Sequence, residues 1–217
     1  MNLIRQPHAR YLNDHAFLRL LGEHDIGVLS DFVSEDRVIN DFWDTYYGAG
    51  VPRVVLCGLN PGRFGAGQTG IPFMDFASLG QLLPGITRQD HERSAGFFFE
   101  VVSAFGVTVF YRTFYVTNVS AVGFVRSGRN LNYPDLPAPA LETVKQRFLE
   151  EMEVVQPTHV IALGRQVQKT LRQWLPAEVD CSRCLPHPAW VATYRLREKV
   201  QWVKHYLNLL SRHKYFH

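Results

Sequence analysis

Three short runs constrain what this chain can fold into more than anything else in it: Val54–Cys57, Thr113–Val119 and Thr158–Leu163. Each is largely apolar and rich in β-branched or aromatic side chains, so each reads as a strand that must be covered on both faces. A fourth strand is expected near Val179–Leu185. Helical spacing fills the intervals: residues 9–22, 34–47 with Ser34 as N-cap, 75–83, 92–105, then Leu141–Val155, Val167–Trp174 and Leu196–Leu210. The segment from Arg126 to Asn130 reads as loop. Strands alternating with helices imply an α/β fold, a parallel sheet between helix layers.

At 217 residues and 46% hydrophobic content, one core and one domain over 1–217 are expected. No apolar run is long enough to span a bilayer, and MNLIRQPHAR lacks a secretory pattern. Three cysteines argue against a disulfide framework and for a reducing compartment. Cys181-Ser182-Arg183-Cys184 invites a metal, but Cys57 is the one further thiol and sits in a buried strand, so neither metal nor cofactor is expected. Charge is lopsided. Residues 1–108 hold 8 Lys+Arg against 12 Asp+Glu (−4), and residues 109–217 hold 15 against 8 (+7), which is compatible with one face meeting a polyanion.

The first strand empties into a loop with Gly58, Gly62, Gly65, Gly67 and Gly70, where open α/β sheets hold ligands. Residues 65–70 spell G-x-G-x-x-G, but without the tight strand–turn–helix setting of a dinucleotide site. GRFGAGQT at 62–69 nearly spells a phosphate loop, with Gln68 where the phosphate-gripping lysine belongs.

Asn60, Asn118 and His187 each follow or close a strand, so the topology gathers them at one edge of the sheet. An amide at Asn118 offers a donor and an acceptor side by side, matching N3–H and O4 of uracil and mismatching cytosine. Phe73 supplies a face for stacking a pyrimidine. His187, between two prolines, could donate to uracil O2 and stabilise the departing anion, or anchor its own loop. Asn60 does not titrate but can orient a water for attack on an oxocarbenium-like sugar.

These segments resemble a known family. GLNPGRFGAGQTGIPF at 58–73, FYVTNVSAVGFVRSGRNL at 114–131 and HPAW at 187–190 are similar, in order, to motifs of the single-strand-selective monofunctional uracil-DNA glycosylases. The resemblance implies a three-layer α/β/α sandwich with a four-stranded parallel sheet. It implies that Asn60 positions water, His187 stabilises the leaving base, Asn118 reads the base edge and Phe73 stacks beneath it. Gly62 falls where strictly uracil-specific relatives carry a bulky Tyr, so 5-hydroxymethyluracil is an expected second substrate. After His187-Pro188 the chain departs from the family pattern, and Trp190 either fills the gap left by a flipped base or packs on the core as a helix-start aromatic. Arg63, Arg126, Arg129 and Arg195 are candidates for phosphate contacts. Its five lysines (Lys145, Lys169, Lys199, Lys204, Lys214) avoid the site loops, so base removal without strand cleavage is expected.

The expected partner is DNA bearing uracil or a 5-substituted uracil, single- or double-stranded. The chain is expected to act as a monomer without a membrane, in the bacterial cytoplasm or a eukaryotic nucleus. Two other readings stay open: a silent nucleic-acid-binding module on the same scaffold, and a nucleotide-binding enzyme using the glycine loop.

Overall fold

The structure, a computed structural model, describes residues 2–213, so Lys214 lies outside the described residues. Seven strands follow in order: β1 (Ile26–Val28), β2 (Val54–Gly58), β3 (Phe114–Asn118), β4 (Phe124–Arg126), β5 (Arg129–Leu131), β6 (His159–Leu163) and β7 (Cys184–Leu185). Four of them form the expected parallel sheet, in the order β3-β2-β6-β7. Every residue of β2 and β3 is buried, as a sheet covered on both faces requires.

Helices Asp36–Tyr47, Arg93–Phe105, Ala138–Val155, Arg165–Trp174 and Lys199–Leu210 supply the two outer layers. Asp36–Tyr47 closes the outer edge of the sheet. The Tyr47 hydroxyl donates to the carbonyl of Phe114 at 3.1 Å and accepts from the N–H of Val116 at 3.2 Å, occupying backbone groups of β3 that no further strand meets. Among the described residues, no single helix is long and apolar enough to cross a membrane.

Several boundaries differ from those read in the sequence. The 9–22 helix is two pieces, Ala9–Leu12 and His15–Gly22, because Asp14 accepts from the Phe17 N–H at 3.0 Å and starts a new helix. Ser34 does not cap: its hydroxyl donates back to the Asp31 carbonyl at 3.0 Å within a 3₁₀ turn that precedes Asp36. The 75–83 helix shrinks to Phe76–Leu79, capped by the fully buried Asp75. A helix at Val107–Thr113 went unread. The fourth strand pairs only at Cys184–Leu185, with one further bridge between His159 and Asp180.

The segment read as loop between Arg126 and Asn130 is a hairpin. Strands β4 and β5 pair antiparallel, β1 joins β4, and a small second sheet results. Ser127 (φ 49°) and Gly128 (φ 70°) form its two-residue turn, both at the positive φ that a type I′ connection requires.

Candidate active site

At the carboxyl edge of the parallel sheet lies a cleft of about 310 Å³. Asn60, Gly62, Phe73, Asn118 and His187, drawn from three loops and a strand end, all line it. The five residues singled out from sequence for catalysis and base binding therefore share one cavity.

The side chain of Asn60 is framed by main chain. Its Nδ2 donates to the carbonyls of Pro61 and Leu131, each at 3.3 Å, and its Oδ1 accepts from the Tyr133 N–H at 3.0 Å. Carbonyls on one side and an N–H on the other allow one orientation of the amide. They also select an amide over a carboxylate, whose second oxygen would face two carbonyl oxygens. Oδ1 keeps a lone pair for a water.

Asn118 ends β3, in register with Gly58 at the end of β2. It is buried, and its side-chain amide makes no hydrogen bond among the described residues, leaving donor and acceptor to the cleft. Phe73 stands at φ 58°, a left-handed conformation that costs a bulky residue roughly 1–3 kcal/mol. Packing holds it there: its ring centroid lies 4.8 Å from Phe98 and 5.8 Å from His187. Gly58 is what lets these groups converge. A Cβ at residue 58 would sit 2.3 Å from Phe73 Cζ and 2.4 Å from Asn118 Oδ1. Sequence reading missed this role, although Gly58 was visible as the first glycine of the loop.

His187 caps the helix Pro188–Tyr194: its Nδ1 accepts from the Ala189 N–H at 3.1 Å. A backbone N–H can only donate, so in the neutral ring the proton sits on Nε2. Burial pushes the His187 pKa down to about 4, against a smaller opposing pull from the Glu92 carboxylate. The loop-anchoring bond and the capacity to donate into the cleft thus coexist on opposite nitrogens of a neutral imidazole.

Glu92 is a cleft residue that sequence reading took only for a helix start. It does cap Arg93–Phe105, accepting from the N–H groups of Ser94 (3.1 Å) and Ala95 (2.8 Å) and from the Ser94 hydroxyl. Its own N–H donates to Asp75 at 2.7 Å. Glu92 thus lines the cleft while its oxygens cap the helix.

The glycine pattern serves packing. The carbonyl of Gly62 accepts from the N–H groups of Gly65 (3.3 Å) and Gly67 (2.9 Å), and a Cβ on Gly67 would meet that carbonyl at 2.6 Å. Ala66, Gly67 and Thr69 are buried within a short helical turn, so the G-x-G-x-x-G letters do not form a phosphate cradle. A Cβ on Gly62 finds only Asn130 Nδ2, at 3.4 Å. That position has room for a side chain.

The five expected DNA contacts, Arg63, Arg126, Arg129, Trp190 and Arg195, fall outside the cleft in two groups. Arg63 donates from its guanidinium to the Gly128 carbonyl and from its N–H to Asn130 Oδ1 at 3.3 Å, which ties it to the hairpin carrying Arg129. Trp190, 38% exposed, packs edge-on against Trp202 at 5.5 Å, with the Arg195 guanidinium 5.3 Å from its ring. Arg195 also pairs with Glu198 at 3.5 Å. Phe64, 56% exposed at the rim, was not anticipated. Among the described residues, no group of three or more His, Cys, Asp and Glu side chains is placed to hold a metal ion.

Residues 45–211 match the model of the uracil DNA glycosylase superfamily. The chain belongs to that superfamily. Its fold is similar to the crystal structure of wild-type Pedobacter heparinus SMUG2, at 27% identity and a TM-score of 0.71, covering 87% of this chain and 88% of that one. No curated protein matches the sequence. Fold and family together make this a three-layer α/β/α protein of uracil-DNA glycosylase type, a hydrolase of base-excision repair that acts on DNA.

Proposed function

We propose that this chain is a monofunctional DNA glycosylase. It hydrolyses the N-glycosidic bond of uracil and of 5-substituted uracils such as 5-hydroxymethyluracil, acts as a monomer with residues 1–217 as one unit, and leaves the abasic strand uncut. The observation that carries this reading is the convergence of Asn60, Phe73, Asn118 and His187 on one base-sized cleft. In it, Phe73 stacks on the flipped base and Asn118 pairs with N3–H and O4. Neutral His187 donates from Nε2 to O2 as negative charge builds on the departing base. Asn60 holds the attacking water through Oδ1, and the oxocarbenium-like sugar needs little base strength from it. Glu92 adds negative charge beside that sugar.

Monofunctional chemistry is supported by the lysines. None of Lys145, Lys169, Lys199 and Lys204 lines the cleft, and the Lys199 amine is engaged by Glu100 at 2.6 Å, so no described amine is placed to form a Schiff base. The open site at Gly62 supports 5-substituted substrates. The test is end-labelled single-stranded DNA with one uracil. Cleavage is expected only after alkali, and Asn60→Ala is expected to slow single-turnover base release about 100-fold. Strand breaks without alkali, or an unchanged Asn60→Ala rate, would refute the reading.

A further inference from the structure

The β4–β5 hairpin carries a charge arrangement that the fold does not need. Arg126 and Arg129 are direct cross-strand partners at its tip, and both are exposed. Like charges directly opposite one another destabilise a strand pair. Neither guanidinium has an ion-pair partner among the described residues, and residues 119–131 contain no Asp or Glu. A third arginine, Arg63, is drawn to the same tip by its bond to the Gly128 carbonyl. Three cations are thus held at a rigid two-residue turn, beside an exposed aromatic ring, Phe64, whose centroid is 4.7 Å from the Arg63 guanidinium.

The same hairpin also reaches the reacting centre. Asn130 and Asn132 line the cleft, and the end of β5 and the turn after it supply the Leu131 carbonyl and the Tyr133 N–H that fix the amide of Asn60. From Arg129 to Tyr133 is four residues, so the tip and the water-holding amide are joined by a short stretch of main chain.

We infer that this hairpin grips phosphates of the DNA strand bearing the flipped nucleotide and serves as a ruler, setting that strand's sugar at a fixed distance from Asn60. Arg126 and Arg129 are positioning residues, acting through the backbone of β5. The chemistry that suits them is a phosphodiester chain: two neighbouring guanidinium forks match phosphate oxygens, and the repulsion between them is relieved when an anion lies across both. The link to Asn60 rests on the glycosylase reading above; the grip does not.

The experiment compares wild type with the double variant Arg126→Gln/Arg129→Gln. A control, Lys169→Gln/Arg172→Gln, removes the same charge from an exposed helix face that does not line the cleft. Affinity for unmodified single-stranded DNA is measured against salt. Loss of two phosphate contacts is expected to flatten the slope of log K against log salt by about 1.4. Saturating single-turnover release of uracil is measured in parallel. It is expected to fall in the hairpin variant, toward the roughly 100-fold loss that a 1 Å misplacement brings, and to hold in the control. An unchanged slope, or an equal drop in the control, overturns the grip. A flattened slope with an unchanged saturating rate overturns the ruler. Wild type that releases no uracil refutes the glycosylase reading instead, and the salt slopes still decide the grip.

Discussion

Gly58→Ala probes how closely the site is built. The added methyl would lie 2.3 Å from Phe73 Cζ, 2.8 Å from Phe73 Cε2 and 2.4 Å from Asn118 Oδ1. Ordinary van der Waals contact begins at 3.4 Å, so both side chains must give way by about 1 Å. Phe73 has little room to retreat, with the fully buried Phe98 behind it. Asn118 is tied by its strand register to residue 58 itself. Overpacking of this kind costs about 1–3 kcal/mol. At about 2–4 °C per kcal/mol for a chain of this size, Tm should fall by roughly 2–12 °C. Base release should suffer more than stability, because a 1 Å displacement of positioning groups costs about 100-fold. The assay is single-turnover excision with enzyme in excess, at a temperature where circular dichroism shows the variant folded. Gly62→Ala is the control: its methyl meets only Asn130 Nδ2 at 3.4 Å and should leave the rate within about twofold. A folded Gly58→Ala protein with wild-type rate would show that Phe73 and Asn118 do not hold the base.

Gly62→Tyr should suppress excision of 5-hydroxymethyluracil while sparing uracil, read as the ratio of the two single-turnover rates; an equal loss on both bases removes Gly62 as the gate. Activity should be level from pH 8 to about 5 and decline as His187 protonates near its pKa of about 4, since the imidazolium gains a proton on Nδ1 and loses the Ala189 bond. The same shift bears on stability: an unfolded His187 titrates near 6.5, so the unfolded chain binds the extra proton between pH 6.5 and 4 and stability falls as pH drops through that window, followed by denaturant titration. Glu151 works in the opposite sense. It is buried, with its pKa raised by burial from 4.5 to about 7 and its carboxyl accepting from the Tyr115 hydroxyl at 3.0 Å. Its ionisation removes stability as pH rises from 4.5 through 7, by about 3 kcal/mol in all. Glu151→Gln should therefore be more stable than wild type at pH 8 and equal to it near pH 4.5; an equal Tm at both pH values would refute the buried-carboxyl account.

What sequence could show follows from how local each signal is. Strands β2, β3 and β6 were legible because two-sided burial writes itself into consecutive residues. Asn60, Asn118 and His187 were legible because a parallel sheet sends its strand ends to one edge. Strands of three residues such as Ile26–Val28 and Arg129–Leu131 are too short to show a period, so the small sheet was unreadable. Ser34 had the right side chain for a cap, but the turn it made with Asp31 won. The crowding at Gly58 depends on Phe73 and Asn118 arriving from 15 and 60 residues away. Glu151 did leave a trace: it falls on the inward stripe with Val144, Phe148 and Val155, where a charge is out of place.

The cage around Asn60 consists entirely of main-chain atoms, from Pro61, Leu131 and Tyr133. Its grip is therefore indifferent to which side chains stand at 131 and 133. It depends instead on counting: adding or deleting one residue after Arg129 would exchange the carbonyl and the N–H, and the amide would meet like with like. A change of side chain at 131 can therefore leave the cage whole, whereas a change in the length of the segment cannot.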